Sequence, residues 1–178
     1  LGDEKQSIYE FKGADSRFLT MAEKCWSDFP LLSNGTFVYC TLHTSYRITN
    51  EMSLFINEGM LGQKRIKACK PGPKVTYVKR KSFQIPRYVQ AKIEQLMLND
   101  KSHYGDIMIL YPASTYYIAK DIENRLVEMA IPCYFPSQDN EQLNSKLIQN
   151  KIAFSSYHGS KGRQRQHIFL LGYDFSYF

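Results

Sequence analysis

At 178 residues the chain has the size of one ordinary domain rather than two full ones. Its 43% hydrophobic content is enough for a packed core and excludes wholesale disorder, while no apolar run approaches the roughly 18–20 residues that a membrane-spanning helix needs. The net charge of +6 is local: ten of the 23 basic residues fall between Gly59 and Ile93, where there is no Asp or Glu. Such a stretch can neutralise phosphates and steer a polyanion, or it can be a solvated Lys-rich surface.

In chain order, Leu1-Gly2-Asp3 reads like the end of a buried strand, and a helix is expected over residues 14–25. A strand over 36–42 and a helix over 49–60 follow, and Lys70-Pro71-Gly72-Pro73 supplies the turn into a strand over 74–79. Next come a helix over 86–98, a strand over 106–111 and a helix over 114–129. The last of these has Ser114 as its cap and an apolar face of Ile118, Ile122, Leu126 and Met129. Pro132 ends it and leads to a short strand, 133–135; residues 136–150 are polar and read as a loop with a little helix, before strands over 151–157 and 167–172. Apolar β-branched runs alternating with amphipathic stretches predict an α/β fold with a mainly parallel sheet in three layers. The four cysteines are far apart, with no C-x-x-C pair and no nearby histidine. They read as reduced, mostly buried thiols of an intracellular, soluble protein rather than metal ligands or a disulfide framework.

The most specific string is Gly2-Asp3-Glu4-Lys5-Gln6-Ser7-Ile8-Tyr9-Glu10-Phe11-Lys12-Gly13-Ala14. It resembles motif III of UvrD/Rep/PcrA-type superfamily 1 DNA helicases, G-D-x-x-Q-S-I-Y-x-(F/W)-R-G-A, at nine of ten constrained positions, with Lys12 in place of Arg. A Gln amide can hydrogen-bond a γ-phosphate oxygen or the attacking water, and aromatic rings offer faces for an unstacked base. The resemblance implies that Gln6 senses the γ-phosphate while Tyr9, Phe11 and Lys12 line a single-stranded DNA track. Leu42-His43-Thr44-Ser45-Tyr46-Arg47-Ile48-Thr49 is similar to motif IV, L-x-x-N-Y-R-S, with Ser45 replacing Asn. By that likeness Tyr46 stacks on adenine and Arg47 reaches the γ-phosphate. Ser156-Tyr157-His158-Gly159-Ser160-Lys161-Gly162-Arg163-Gln164 looks like motif V, (S/T)-x-H-x-x-K-G-x-E. There Ser156, His158 and Lys161 would contact DNA phosphates, positioning the strand without reading its sequence. Gln164, in place of the family Glu, would touch the ribose without charge. A softer likeness pairs the strand at 106–111 and the following helix with a "G-I-P" turn, Ala130 standing in the glycine position.

The resemblance implies a RecA-like, P-loop NTPase-type three-layer fold. Residues 1–33 would be the end of a first motor domain and 34–178 most of a second, lacking the extra helical domain that the family commonly inserts after residue 135. It implies ATP and Mg²⁺ as cofactors of the full-length protein, and single-stranded DNA and single/double-strand junctions as partners, with no membrane. The sequence contains no G-x-x-x-x-G-K-[ST] phosphate loop, no Asp-Glu metal motif and no motif VI, so these are expected outside the 178 residues and this chain alone is expected to be inactive and to bind no cofactor. A stripped-down form of this kind suits a cytoplasmic or nuclear protein, including one of viral origin. The alternative is a non-catalytic, helicase-derived nucleic-acid-binding or scaffolding domain, for which Gln164 and the altered motif IV speak.

Overall fold

The computed structural model describes residues 3–4, 13–27, 37–99, 102–136 and 148–173, and the chain divides into two units, Leu1–Lys79 and Arg80–Phe178. The boundary expected between residues 33 and 34 lies outside the described residues.

In the first unit the helix expected over 14–25 forms as two short pieces, α1 (Arg17–Thr20) and α2 (Ala22–Trp26), separated at Met21 with φ −115° and ψ 26°. Neither piece buries a residue, so burial adds little to hold a continuous helix together. Asp15 starts the segment: its carboxylate accepts from the Arg17 backbone N–H at 2.9 Å and pairs with the Arg17 guanidinium at 2.7 Å, and those bonds hold it below its ordinary pKa. The strand expected over 36–42 is not formed among the described residues, where 37–43 have no regular structure and are exposed. Pairing begins only at β1 (Thr44–Ser45), which runs parallel to β2 (Lys67–Ala68).

Helix α3 (Asn50–Leu54) continues as a π-helical stretch, Phe55–Met60, and so covers the helix expected over 49–60. Thr49 caps it, its Oγ1 accepting from the Met52 N–H at 3.3 Å. The polar Asn57 is 8% exposed, and its amide makes three hydrogen bonds to backbone. Its Oδ1 accepts from the Arg65 and Ile66 N–H groups at 2.9 Å each, and its Nδ2 donates to the Ile66 carbonyl at 2.7 Å. One side chain therefore fixes the helix to the entry of β2. At the other end, the Gly72 N–H donates to Glu51 Oε2 at 2.7 Å, and a Cβ on Gly72 would come within 2.3 Å of Thr49 Cγ2. Only glycine permits that approach. Residues 71–79, expected to include a strand over 74–79, form no ladder and no other regular structure.

The second unit holds a four-stranded parallel sheet in the order β4 (Cys133–Tyr134), β5 (Ile152–Ser156), β3 (Ile107–Tyr111), β6 (His167–Leu170). The register aligns Met108 with Ala153 on one side and with Ile168 on the other. Among the described residues two helices serve it, α4 (Ile85–Asn99) and α5 (Tyr116–Glu128). Strand alternation divides the apolar residues between two faces. Ile107, Ile109, Tyr111, Ile152 and Phe154 join Val89 and Ile93 of α4 and Ile118, Ala119, Ile122 and Leu126 of α5 in the main core. Met108 and Ala153 turn the other way and bury against Ile148. Central strands covered on both faces read as unbroken apolar runs, as Ile107–Tyr111 and Ile152–Phe154 do.

Two details depart from expectation. Ser114 makes no cap: α5 begins after a 3₁₀ turn, Ala113–Thr115, without any side-chain cap bond, and the Thr115 hydroxyl donates to the Pro112 carbonyl at 3.3 Å. At its far end α5 closes with a Schellman motif, the Ile131 N–H donating to the Leu126 carbonyl and the Ala130 N–H to that of Val127, both at 2.9 Å. That motif needs a left-handed residue after the last turn, and Ala130 has φ +58°. Among the described residues no helix is long and apolar enough to cross a membrane.

Candidate functional site

Parallel sheets present their ligand sites beyond the carboxyl ends of the strands, and the Ser156 string begins there, on the last residue of β5. The sequence folds it into a self-supported turn. Ser156 Oγ accepts from the Gly159 N–H at 3.1 Å, and the Ser160 N–H donates to the Ser156 carbonyl at 3.1 Å. The Ser160 hydroxyl donates to the Tyr157 carbonyl at 2.9 Å, and the Arg163 N–H to the Ser160 carbonyl at 2.9 Å. Gly162 takes φ +80°, where a side chain would be strained. The Tyr157 hydroxyl donates to the Leu171 carbonyl, and the Leu171 N–H donates to that of Leu110 at 2.8 Å, so the turn is tied to the segment after β6 and through it to β3. Around this frame Ser156 is half-buried while His158, Lys161 and Gln164 are exposed. The Ser156 lone pair is spent on the turn, but its proton can still be donated. The loop thus combines a hydroxyl donor, an imidazole and an ammonium in nine residues, a set suited to phosphate oxygens.

Tyr46 and Arg47 belong to the first unit, in the bend between β1 and the Thr49 cap of α3. Both are exposed, Tyr46 at 78%. Gln6, Tyr9, Phe11 and Lys12 lie outside the described residues. Their neighbours Asp3 and Glu4 are described, and the Arg65 guanidinium pairs with both, at 2.7 Å to Asp3 and 3.4 Å to Glu4. Sequence reasoning missed Arg65. Its only signal was membership of the acid-free basic stretch, which gives no hint of a carboxylate partner some sixty residues earlier. Arg65 also helps to line an open cleft of about 300 Å³ with His43, Leu54, Asn57, Glu58, Lys64 and Lys67. Tyr157 was passed over too, since its value lies in anchoring the loop and not in a motif position.

The cysteines correct an expectation: Cys25, Cys40 and Cys69 are exposed, and only Cys133 is partly covered. Burial, with the Glu123 carboxylate nearby, pushes the Cys133 thiol up to about 12. Among the described residues no group of three His, Cys, Asp or Glu could hold a metal ion. No protein-family model matches the chain, and no curated protein matches it either.

Proposed function

We propose that the chain is the portion of an ATP-driven DNA helicase of the UvrD/Rep/PcrA type that runs from motif III to motif V, built on RecA-like folding. The observation that carries this reading is the order of three strings in one chain: Gly2–Ala14, Leu42–Thr49 and Ser156–Gln164. Two features of the structure support it. The second unit is a parallel α/β sheet, and its phosphate-suited loop springs from a strand's carboxyl end. In this reading Arg47 and Gln164 meet a nucleotide held mainly by another motor domain, and Gln6 contacts its γ-phosphate. Bound ATP supplies the γ-phosphoryl group whose loss releases those contacts. Tyr9, Phe11, Lys12, Ser156, His158 and Lys161 hold one DNA strand by stacking and phosphate contacts. None of the described residues is assigned to Mg²⁺.

The test is ATP turnover by the complete reading frame with single-stranded DNA. Arg47→Ala should lower kcat by about 10³–10⁵, the range for arginines that stabilise a transferring phosphoryl group, with ADP affinity nearly unchanged. Unchanged turnover removes Arg47 from the site. A second reading, a helicase-derived binding domain without turnover, is favoured by Gln164, which lacks the charge of the family Glu, and by Ser45 in place of the motif IV Asn; a complete protein that binds single strands but shows no DNA-stimulated ATPase would establish it.

A further inference from the structure

Residues 80–88 of the second unit carry a feature that none of the three strings includes. Phe83 sits in a 3₁₀ turn, Ser82–Gln84, that leads directly into α4, and it is 74% exposed, although a phenyl ring ordinarily gains by burial. Arg80, Lys81 and Arg87 surround it in sequence and are all exposed. Arg87 follows four residues on, in the first turn of α4. Arg80 is held by its guanidinium over the Tyr88 ring, 5.6 Å from the centroid. That contact returns the chain before the turn onto the first turn of α4. The turn itself is fixed by the Lys81 N–H donating to Gln84 Oε1 at 3.3 Å. Among the described residues none of the three cations forms an ion pair, and the sequence holds no Asp or Glu from Gly59 to Ile93.

We propose that Phe83, with Arg80, Lys81 and Arg87, forms a binding patch for single-stranded nucleic acid, a base stacking on Phe83 while the cations contact flanking phosphates. The chemistry selects this partner. An exposed ring gives an unstacked base a π face, and cations without carboxylate partners match a backbone with one charge per nucleotide. A duplex keeps its base faces covered and has no use for Phe83; an acidic protein would need the cations and not the ring. The proposal rests on charge and exposure in the second unit and does not depend on the motor reading.

Binding of labelled oligo(dT) to the 178-residue chain, without ATP and at several salt concentrations, tests it. Phe83→Ala should weaken binding about five- to 150-fold, equivalent to the loss of one base stack, with the salt slope unaltered. Phe83→Trp should restore affinity and show fluorescence quenching on binding beyond that of Trp26, the single native tryptophan. Replacing Arg80, Lys81 and Arg87 together with Gln should flatten the slope by about 0.7 for each phosphate that is no longer neutralised. Circular dichroism confirms that each variant is folded. Wild-type affinity in Phe83→Ala overturns the stacking role, and an unaltered slope in the triple variant overturns the phosphate role. Displacement of oligo(dT) by polyglutamate with equal effect on wild type and Phe83→Ala would mark the patch as a surface for acidic proteins and overturn the assignment. Failure of the Arg47 experiment with these results intact would sink the motor reading alone.

Discussion

Ala130 shows how a single residue can be legible in role and strained in fact. The turn after α5 was recognisable from Ile131-Pro132, and the structure puts Ala130 at φ +58°, in the Schellman position where glycine is preferred. A left-handed non-glycine residue costs roughly 1–2 kcal/mol, and glycine gives back roughly 0.4–1 kcal/mol through the entropy of the unfolded chain. Ala130→Gly should therefore stabilise the second unit, by about 0.5–1 kcal/mol, read as a higher urea midpoint with an unchanged slope. A lower midpoint would show that the Ala130 methyl group does more by packing than it costs in strain. Asn57 is the opposite case: nothing in its sequence context marks it, because its three partners are backbone groups at Arg65 and Ile66 that only the fold brings near.

Among elements, those that the sequence announced were those that the core needs. Ile107–Tyr111 and Ile152–Phe154 are unbroken apolar runs because both faces of the strands are covered, and α4 and α5 carry apolar stripes that meet them. Residues 37–42 and 74–79 have equally good strand composition but no ladder, since β-propensity describes a side chain's fitness for a pleated surface and cannot supply the neighbouring strand. The candidate site was legible as strings and not as supports. Four of its residues lie outside the described ones, and for the Ser156 loop the anchor, Tyr157, came only with the fold. Tyr157→Phe removes the donor to the Leu171 carbonyl and should cost about 0.5–1.5 kcal/mol, while loosening the loop that presents His158 and Lys161. Urea denaturation and single-strand binding should both register it. Full stability in the variant would mean that the loop holds its shape without this bond.

Across the whole chain the four thiols form a natural set of reporters. Cys25, Cys40 and Cys69 are exposed and should react with a thiol reagent at mildly alkaline pH at rates near those of unfolded chain. Cys133, with its thiol at about 12, should lag far behind and react only when the second unit opens. The sign of the linkage follows from the raised value. Keeping this thiol neutral contributes stability below its ordinary pKa of 9.0, and that contribution is lost as pH rises from there toward about 12. A stability profile of the wild type that falls in this window, and falls less in Cys133→Ser, is the expected result; four thiols reacting at one rate would show that Cys133 is not protected.

The strand order β4-β5-β3-β6 also sets a timetable for the chain's own synthesis. β3 lies at the centre of the sheet, yet both of its neighbours come later, β5 after the whole of α5 and β4, and β6 last. While the chain is growing, Met108 has no strand beside it until Ala153 has been made, and Ile168 arrives later still. α4 and α5 can form as local helices in that interval, but their apolar stripes have no sheet to close on. Pairing over such distances is slow because loop closure must precede the contacts that reward it. The nascent second unit therefore holds β3 unpaired until β5 emerges and paired on one side until β6 does, and such partly formed sheets are the species that chaperones protect.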